Sequence, residues 1–363
     1  MTGGASFGGL YFHHTPAPGA GSSRPPAWMR ILAGSGRGHW LTGPLSWMLA
    51  LAGCGRGHWM KRPPVVLPSS ARWLVLSNPV FSPLLARLGD ELRRRGGGIA
   101  AAFETPDFDL GLWSESPLRA HPALPQEYLA TRVRHFARSI ALCDAFLVTG
   151  PAMAARLKAR NPAALSLTLP FALDPAHAPI EVPWRPVPPR RILFEVTAPP
   201  DRAALRRHEP LLAQAAEVLK VPMEISEAAF LTPAFRDHPR LTLSRIAPSL
   251  GPGDIVFYPP SGDGAWQIMQ SGAPLSRALA AGATCWGAIP EQVRVSPAPP
   301  HRLMQPDHFK TWTPNCTAAS EGGPTAALTH EHERAWLQAC RPGAAEARLV
   351  NALAPLLAEG SGP

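Results

Sequence analysis

The chain is expected to be an α/β protein of two domains, each a parallel sheet with helices on both faces. Three observations carry this expectation. Short apolar runs alternate with amphipathic ones from Arg72 onward. A proline-rich stretch, "DPAHAPIEVPWRPVPPR" (Asp174–Arg190), interrupts the alternation, which resumes after it. The chain has 363 residues, 45% of them hydrophobic and 17% charged. That is enough for two cores of roughly 150 residues each.

Residues 1–28 are rich in Gly, Pro and Ser and show no period, so they read as a tail outside the folded body. Next comes a repeat: "WMRILAGSGRGHW" (Trp28–Trp40) and "WMLALAGCGRGHW" (Trp47–Trp59) match at ten of thirteen positions. Three readings stand. In one, "MRILAGS" is a first strand, "GRGHWLTGP" a glycine-rich loop that lets a substrate approach the backbone, and "LSWMLALAG" the first helix. In another, Leu51-Ala52-Gly53-Cys54 is a lipobox with Cys54 acylated, although one Arg and an interrupted apolar run fit a signal peptide poorly. In the third, the repeat is a duplication of nineteen codons without structural meaning.

The remaining elements follow in order. "RWLVLS" (Arg72–Ser77) is a short apolar strand. "SPLLARLGDELRRRGGG" has apolar residues at helical spacing and a glycine stop. "IAAAF" (Ile99–Phe103) is a strand, Pro125–Cys143 a long amphipathic helix, "AFLVTG" a strand, "PAMAARLKARN" a helix and "LSLTLPF" a strand. After the linker come "RILFEVT" (strand), "DRAALRRHEPLLAQAAEVLK" (helix), "PMEIS" and "DIVFYPP" (strands), "PLSRALAAG" (helix) and "ATCWGAI" (strand). Glu291–Gly323 reads as loop, and two helices close the chain. The expected division is a tail over 1–28, a first domain over 29–176, a linker over 177–189, a second domain over 190–345 and a terminal helix and tail over 346–363. Both domains are Rossmann-like and are expected to face one another across a cleft, with ligands at the carboxyl ends of the strands.

The net charge is +9, yet no run of like charge exceeds Arg93-Arg94-Arg95, so a nucleic-acid partner is not expected. Five cysteines lie far apart with no CxxC spacing, which points away from a disulfide framework and toward a reducing compartment. No apolar run reaches the roughly 18 residues that span a bilayer. Cys143 and Cys285 read as small core residues. Trp266 and Trp286 are expected in the core, with stacking on a base as the other reading. "HEHE" (His330–Glu333) is not a metal signature: on a helix its two histidines point about 200° apart.

Three segments resemble the retaining, family-4 kind of GT-B glycosyltransferase (group 1). "RRGGGIAAAFETPDFDL" is similar to the family's strand leading into an acidic segment. "HFARSIALCDAFLVTGPAMAARLKARNPAALSLTLPFALD" resembles its helix–strand–helix–strand run. "DIVFYPPSGDGAWQIMQSGAPLSRALAAGATCWGAIPE" resembles its donor segment, with Gln270 and Ser271 on the family's Lys-Ser pair, Pro274 on its second Lys and Arg277 on its Glu. The resemblance implies a GT-B arrangement and transfer of a hexose from a nucleotide-activated sugar to a polysaccharide or lipid-linked acceptor. It implies no bound cofactor or metal, and a cytoplasmic location with peripheral contact at the inner membrane surface. His39 and Asp107 are the implied catalytic residues. Arg202, Ser261, Gly262, Gly264, Ser271 and Arg277 are implied on the donor side, and Gly36, Gly38 and Arg132 at the acceptor. Arginine at 277 accepts no hydrogen bond from a ribose but matches a phosphate bidentately. This leaves open a second reading, a non-catalytic GT-B-like binding protein of a polysaccharide gene cluster.

Overall fold

The computed structural model describes residues 9–14, 25–41, 67–77, 79, 81–106, 108–109, 111–112, 135–177, 187–194, 199–225, 231–243, 249–259, 265–294, 303–304 and 334–357. Two compact units emerge, each built on a six-stranded sheet in which every pairing is parallel. The α/β class and the two Rossmann-like sheets are therefore as the alternating pattern predicts.

The first sheet has the order β2-β1-β3-β4-β5-β6. Its strands are β1 (Leu10–His14), β2 (His39–Trp40), β3 (Trp73–Ser77), β4 (Gly98–Ala102), β5 (Ala145–Val148) and β6 (Leu165–Thr168). β4 and β5 are buried along their whole length, as strands covered on both faces must be. The helix Pro83–Arg94 follows β3 for legible reasons. Ser82 Oγ accepts from Leu85 N at 3.1 Å, proline occupies the first turn, and Leu84, Leu85, Leu88 and Leu92 form the buried stripe.

Two features differ from the sequence reading. The stretch read as a tail contains β1, which sits between β2 and β3 with Leu10 and Phe12 at 1% and 0% exposure. Five residues between glycine- and proline-rich flanks carry no period of their own, and their sheet partner β3 lies some sixty residues downstream. "MRILAGS" is helical, not a strand. The helix Ala27–Gly34 starts behind Pro26 and buries Trp28, Met29, Ile31 and Leu32. A short apolar run fits either period, and here the prolines at its front were the deciding helix-start signal.

The second sheet has the order β12-β11-β10-β7-β8-β9. Its strands are β7 (Arg191–Phe194), β8 (Met223–Ile225), β9 (Leu241–Leu243), β10 (Asp254–Tyr258), β11 (Thr284–Gly287) and β12 (Leu303–Met304). β12 and a one-turn helix (Glu291–Arg294) lie in the segment read as loop. Trp266 and Trp286 are core residues at 2% and 1% exposure, and Cys143 and Cys285 are buried free thiols. Burial, with Asp144 next to it, pushes the Cys143 thiol far up, so it stays protonated.

Much of the arginine excess is spent on ion pairs at the amino ends of the strands. Asp254, fully buried, accepts from Arg190 and Arg191 and from Gly251 N at 2.9 Å, while Arg191 also grips Glu224 at 2.9 Å. In the first unit Asp144 joins Arg93 at 2.8 Å to Ile99 N at 2.9 Å. The helix Pro342–Leu357 at the end of the chain belongs to the first unit, where Glu346 pairs with Arg37 at 3.3 Å. No helix among the described residues is long and apolar enough to cross a membrane.

Candidate functional site

Strand order alone marks a place in each unit. In a doubly wound sheet the crevice lies at the carboxyl ends of the two strands where the chain reverses direction across the sheet. In the first sheet the chain runs from β1 outward to β2 and then back past β1 to β3, so the reversal falls between β1 and β3. The last residues of those strands, His14 and Ser77, are register partners. Ser77 is in turn level with Ala102, and Glu104 follows two residues later. Phe12, two residues before His14 and so on the same face, meets Trp28 edge-on at 5.9 Å between ring centroids. The helix Ala27–Gly34 therefore covers this face, and it brings Arg30, whose charge acts on Glu104.

The polar groups gathered here are poorly satisfied from within. Among the described residues neither ring nitrogen of His14 nor Ser77 Oγ has a hydrogen-bond partner, although all three atoms are buried. Orphaned buried polar atoms are rare because each costs about 1–3 kcal/mol, and three at one strand-order reversal suit a ligand's hydroxyl groups. Burial lowers the pKa of His14. At pH 7 the ring is then neutral, with one nitrogen donating and the other accepting. His13, its neighbour on the opposite face, is lowered to about 4 by burial and by the charge of His14. Glu104 moves the other way: burial pushes its carboxyl up to about 7, against the pull of Arg30. Near neutrality it exists as both acid and carboxylate, the condition under which a side chain takes up or gives a proton efficiently.

The loop beyond Glu104 is held in place. Asp109 accepts from Arg156, from Arg160 at 3.2 Å and from Gly111 N at 3.0 Å, and Arg160 also binds Phe108 O at 2.5 Å. This clamp ties the loop to the helix Pro151–Lys158 and the residues just after it.

In the second sheet the reversal falls between β7 and β10. The helix Pro199–Leu219 opens five residues after β7 and carries Arg202 in its first turn, at the end of the helix that favours anions. After β10 the chain enters 260–264. Beyond it, Gly272 N donates to Gln292 Oε1 at 2.8 Å, half-buried Ser271 precedes that glycine, and the helix Ala273–Ala280 follows. Arg277 is in the last turn of that helix, where a cation complements the dipole.

The residues named from sequence are distributed as follows. His39 is exposed on the edge strand β2, level with Tyr11, three residues short of His14 and hence roughly 10 Å away along the strand. Gly36 lies in an exposed turn at φ 73°, and Gly38 packs under Phe12, whose ring would lie 2.2 Å from an added Cβ. These three residues shape the edge of the sheet and do not join His14, Ser77 and Glu104. Asp107, Arg132, Ser261, Gly262 and Gly264 lie outside the described residues, as does the side chain of Arg202. Sequence reasoning missed His14, Ser77, Glu104 and Arg30. The available signal was position: Ser77 closes "RWLVLS", and Glu104 directly follows "IAAAF", three residues before the Asp107 that was chosen.

Ser77→Ala is expected to leave the melting temperature unchanged or raise it by a few degrees, because it deletes an unsatisfied buried hydroxyl. A fall of several degrees would show that the hydroxyl is already paired and not waiting for a ligand.

No family model matches the chain, and no curated protein does. Solved structures similar to it include a trehalose-6-phosphate synthase (10% identity, 95% of this chain and 98% of that one, TM-score 0.48). The calicheamicin glycosyltransferase CalG4 has 14% identity, with 95% of this chain and 98% of that one covered, at TM-score 0.34. A chain of the GtfA/B complex has 13% identity over 79% of this chain, at TM-score 0.46, and the match spans 57% of that chain.

Proposed function

We propose that the chain transfers a glycosyl group, a hexose, from a nucleotide-activated sugar to a hydroxyl of a glycan or lipid-linked acceptor. The observation that carries the reading is the register that aligns His14 with Ser77, and Ser77 with the residue two before Glu104, at the strand-order reversal of a parallel sheet, in a chain with a second such reversal in its other unit. A two-substrate reaction needs two binding places of different chemistry. The first unit offers uncharged hydrogen-bonding groups and a carboxyl near neutrality, which suit a sugar hydroxyl. The second offers a helix N-terminus with Arg202 and the glycine-containing run Ser261–Gly264, which suit a diphosphate.

In the reaction the acceptor hydroxyl, held by His14 and Ser77, attacks the anomeric carbon. The bond from that carbon to the diphosphate oxygen breaks, the proton passes to the Glu104 carboxylate, and the nucleoside diphosphate leaves. Arg202, Ser271 and Arg277 are the proposed donor contacts. His39 and Gly36–Gly38 serve as the outer edge of the acceptor unit, and no metal or cofactor is assigned. The resemblance to family-4 enzymes supports the division into donor and acceptor sides; those enzymes retain the anomeric configuration, whereas a single displacement with Glu104 as base inverts it.

The second reading is binding without turnover. It is favoured by Arg277, which stands where that resemblance expects a carboxylate. Calorimetric titration with uridine and guanosine diphosphates, followed by release assays on the matching sugar nucleotides, separates the two. Transfer predicts binding below millimolar and release of nucleoside diphosphate when acceptor is added. Binding without release, or no binding of any nucleotide at millimolar concentration, removes transfer and leaves the second reading. Arg277→Ala is expected to weaken nucleotide binding by roughly one to two orders of magnitude, the worth of a charge-assisted fork. Unchanged affinity in that variant would remove Arg277 from the donor contacts.

A further inference from the structure

Two of the donor contacts proposed above, Ser271 and Arg277, flank and occupy the helix Ala273–Ala280. The start of this helix offers an anion little backbone. Gly272 N is spent on Gln292, residue 274 is a proline without an N–H, and Leu275 N bonds Gly272 O at 3.0 Å. Recognition there falls to the side chains of Ser271 and Arg277, so the placing of their backbone decides how well they reach a ligand.

Two polar clamps fix that backbone. At the front, the one-turn helix Glu291–Arg294 supplies adjacent groups. Gln292, 6% exposed, accepts from Gly272 N at 2.8 Å. A Cβ at 272 would lie 2.4 Å from Val293 Cγ2 and 2.6 Å from Phe171 Cδ2, so the glycine backbone rests directly on those side chains. Phe171 in turn stacks on Trp336, 6.0 Å between ring centroids and 10° between planes. One turn further along, the hydroxyl of Ser276, 1% exposed, accepts from Asp174 N at 2.8 Å and lies 3.5 Å from His177 Nδ1. Phe171 and Asp174 belong to the start of the stretch Phe171–Arg341, and Leu173 between them donates to Cys340 O at 2.9 Å. The first turn of the helix is thus pinned to a residue 20 positions later and to one 102 positions earlier.

Both clamps are polar side chains beside an apolar core cluster that contains their sequence neighbours Leu275 and Val293. A buried amide or hydroxyl gains little stability there over an apolar side chain, but a satisfied one fixes position more narrowly than an apolar contact does. We propose that Gln292 and Ser276 are positioning residues of the donor side, which touch no ligand and set the backbone from which Ser271 and Arg277 reach it. This role rests on the reading of Ser271 and Arg277 as donor contacts.

The test is calorimetric titration of the full chain with uridine and guanosine diphosphates, well below the melting temperature of each variant. Gln292→Met keeps the volume and removes the acceptor oxygen, Gln292→Glu keeps the oxygen, and Ser276→Ala removes the second clamp. Gln292→Met and Ser276→Ala should each weaken binding roughly tenfold, the worth of one buried hydrogen bond, and Gln292→Glu should bind nearly as the unchanged chain does. A lowered melting temperature with unaltered affinity in Gln292→Met and Ser276→Ala would make both clamps purely structural and overturn the proposal. Equal weakening in Gln292→Met and Gln292→Glu would remove Gln292 from it. Ser276→Ala, the milder change, decides alone if Gln292→Met does not fold. Failure of the unchanged chain to bind either nucleotide removes the donor reading and the positioning role with it, whereas binding that the variants leave unaltered removes the positioning role and spares that reading.

Discussion

Removal of residues 1–27 unfolds the first unit instead of trimming it. This is the largest stability effect expected, and it is the opposite of what the composition of that stretch implies. The deletion takes away β1, an interior strand, and leaves one long side of β3 without its ladder. It also removes the fully buried side chains of Leu10 and Phe12. Truncating a core Leu or Phe to Ala costs about 2–5 kcal/mol apiece, against a total stability of roughly 5–15 kcal/mol for a domain. The loss therefore consumes most of the unit's stability. Near-UV circular dichroism and a thermal melt of the shortened chain check it. A melting temperature equal to that of the full chain would place β1 outside the folded body.

Glu104→Gln should lower the transfer rate by roughly 10²- to 10⁴-fold, the usual worth of a positioned acid–base group, while leaving nucleotide affinity unchanged. Gln keeps the shape and one acceptor oxygen but cannot take a proton. In the unchanged protein the rate should climb as pH rises through about 7, as the carboxylate forms. Stability should move in the opposite direction. The unfolded carboxyl releases its proton near 4.5 and the folded one near 7, so between those values the folded state holds more protons. Stability contributed by this group is complete below pH 4.5 and is lost as pH rises to about 7, by an amount on the order of 2–3 kcal/mol. The Gln variant should lack that slope. Full activity in Glu104→Gln would remove the acid–base role, and an unchanged slope would remove the raised pKa of this partly buried carboxyl.

What could be read from the sequence divides along a physical line. "RWLVLS", "IAAAF", "AFLVTG", "RILFEVT" and "DIVFYPP" announce themselves because a strand buried on both faces is apolar throughout, and each has a helix with legible stops beside it. β1 does not, because "LYFHH" ends in two polar rings whose burial depends on β3 and on a helix that the local pattern makes ambiguous. The candidate site fails to show for the same reason. His14, Ser77 and Glu104 are ninety residues apart in the chain at their extremes, and only the register β1–β3–β4 aligns them. The sequence reading chose Asp107 from the acidic character of this segment, whereas the burial that raises the Glu104 carboxyl is a property of packing alone.

The return of the helix Pro342–Leu357 to the first unit has a consequence for biosynthesis. The second unit, Phe171–Arg341, is in effect inserted between two parts of the first, with its two ends tied by the bond from Leu173 N to Cys340 O at 2.9 Å. A ribosome that has finished β6 has still to make about 170 residues before the helix Pro342–Leu357 begins. At roughly 5–20 residues per second that interval is on the order of ten to thirty seconds. Through it the nascent first sheet waits without the helix Pro342–Leu357 and its Glu346–Arg37 pair, a surface for a chaperone or for aggregation. The inserted unit, whose strands are all emitted in one stretch, is free to fold first.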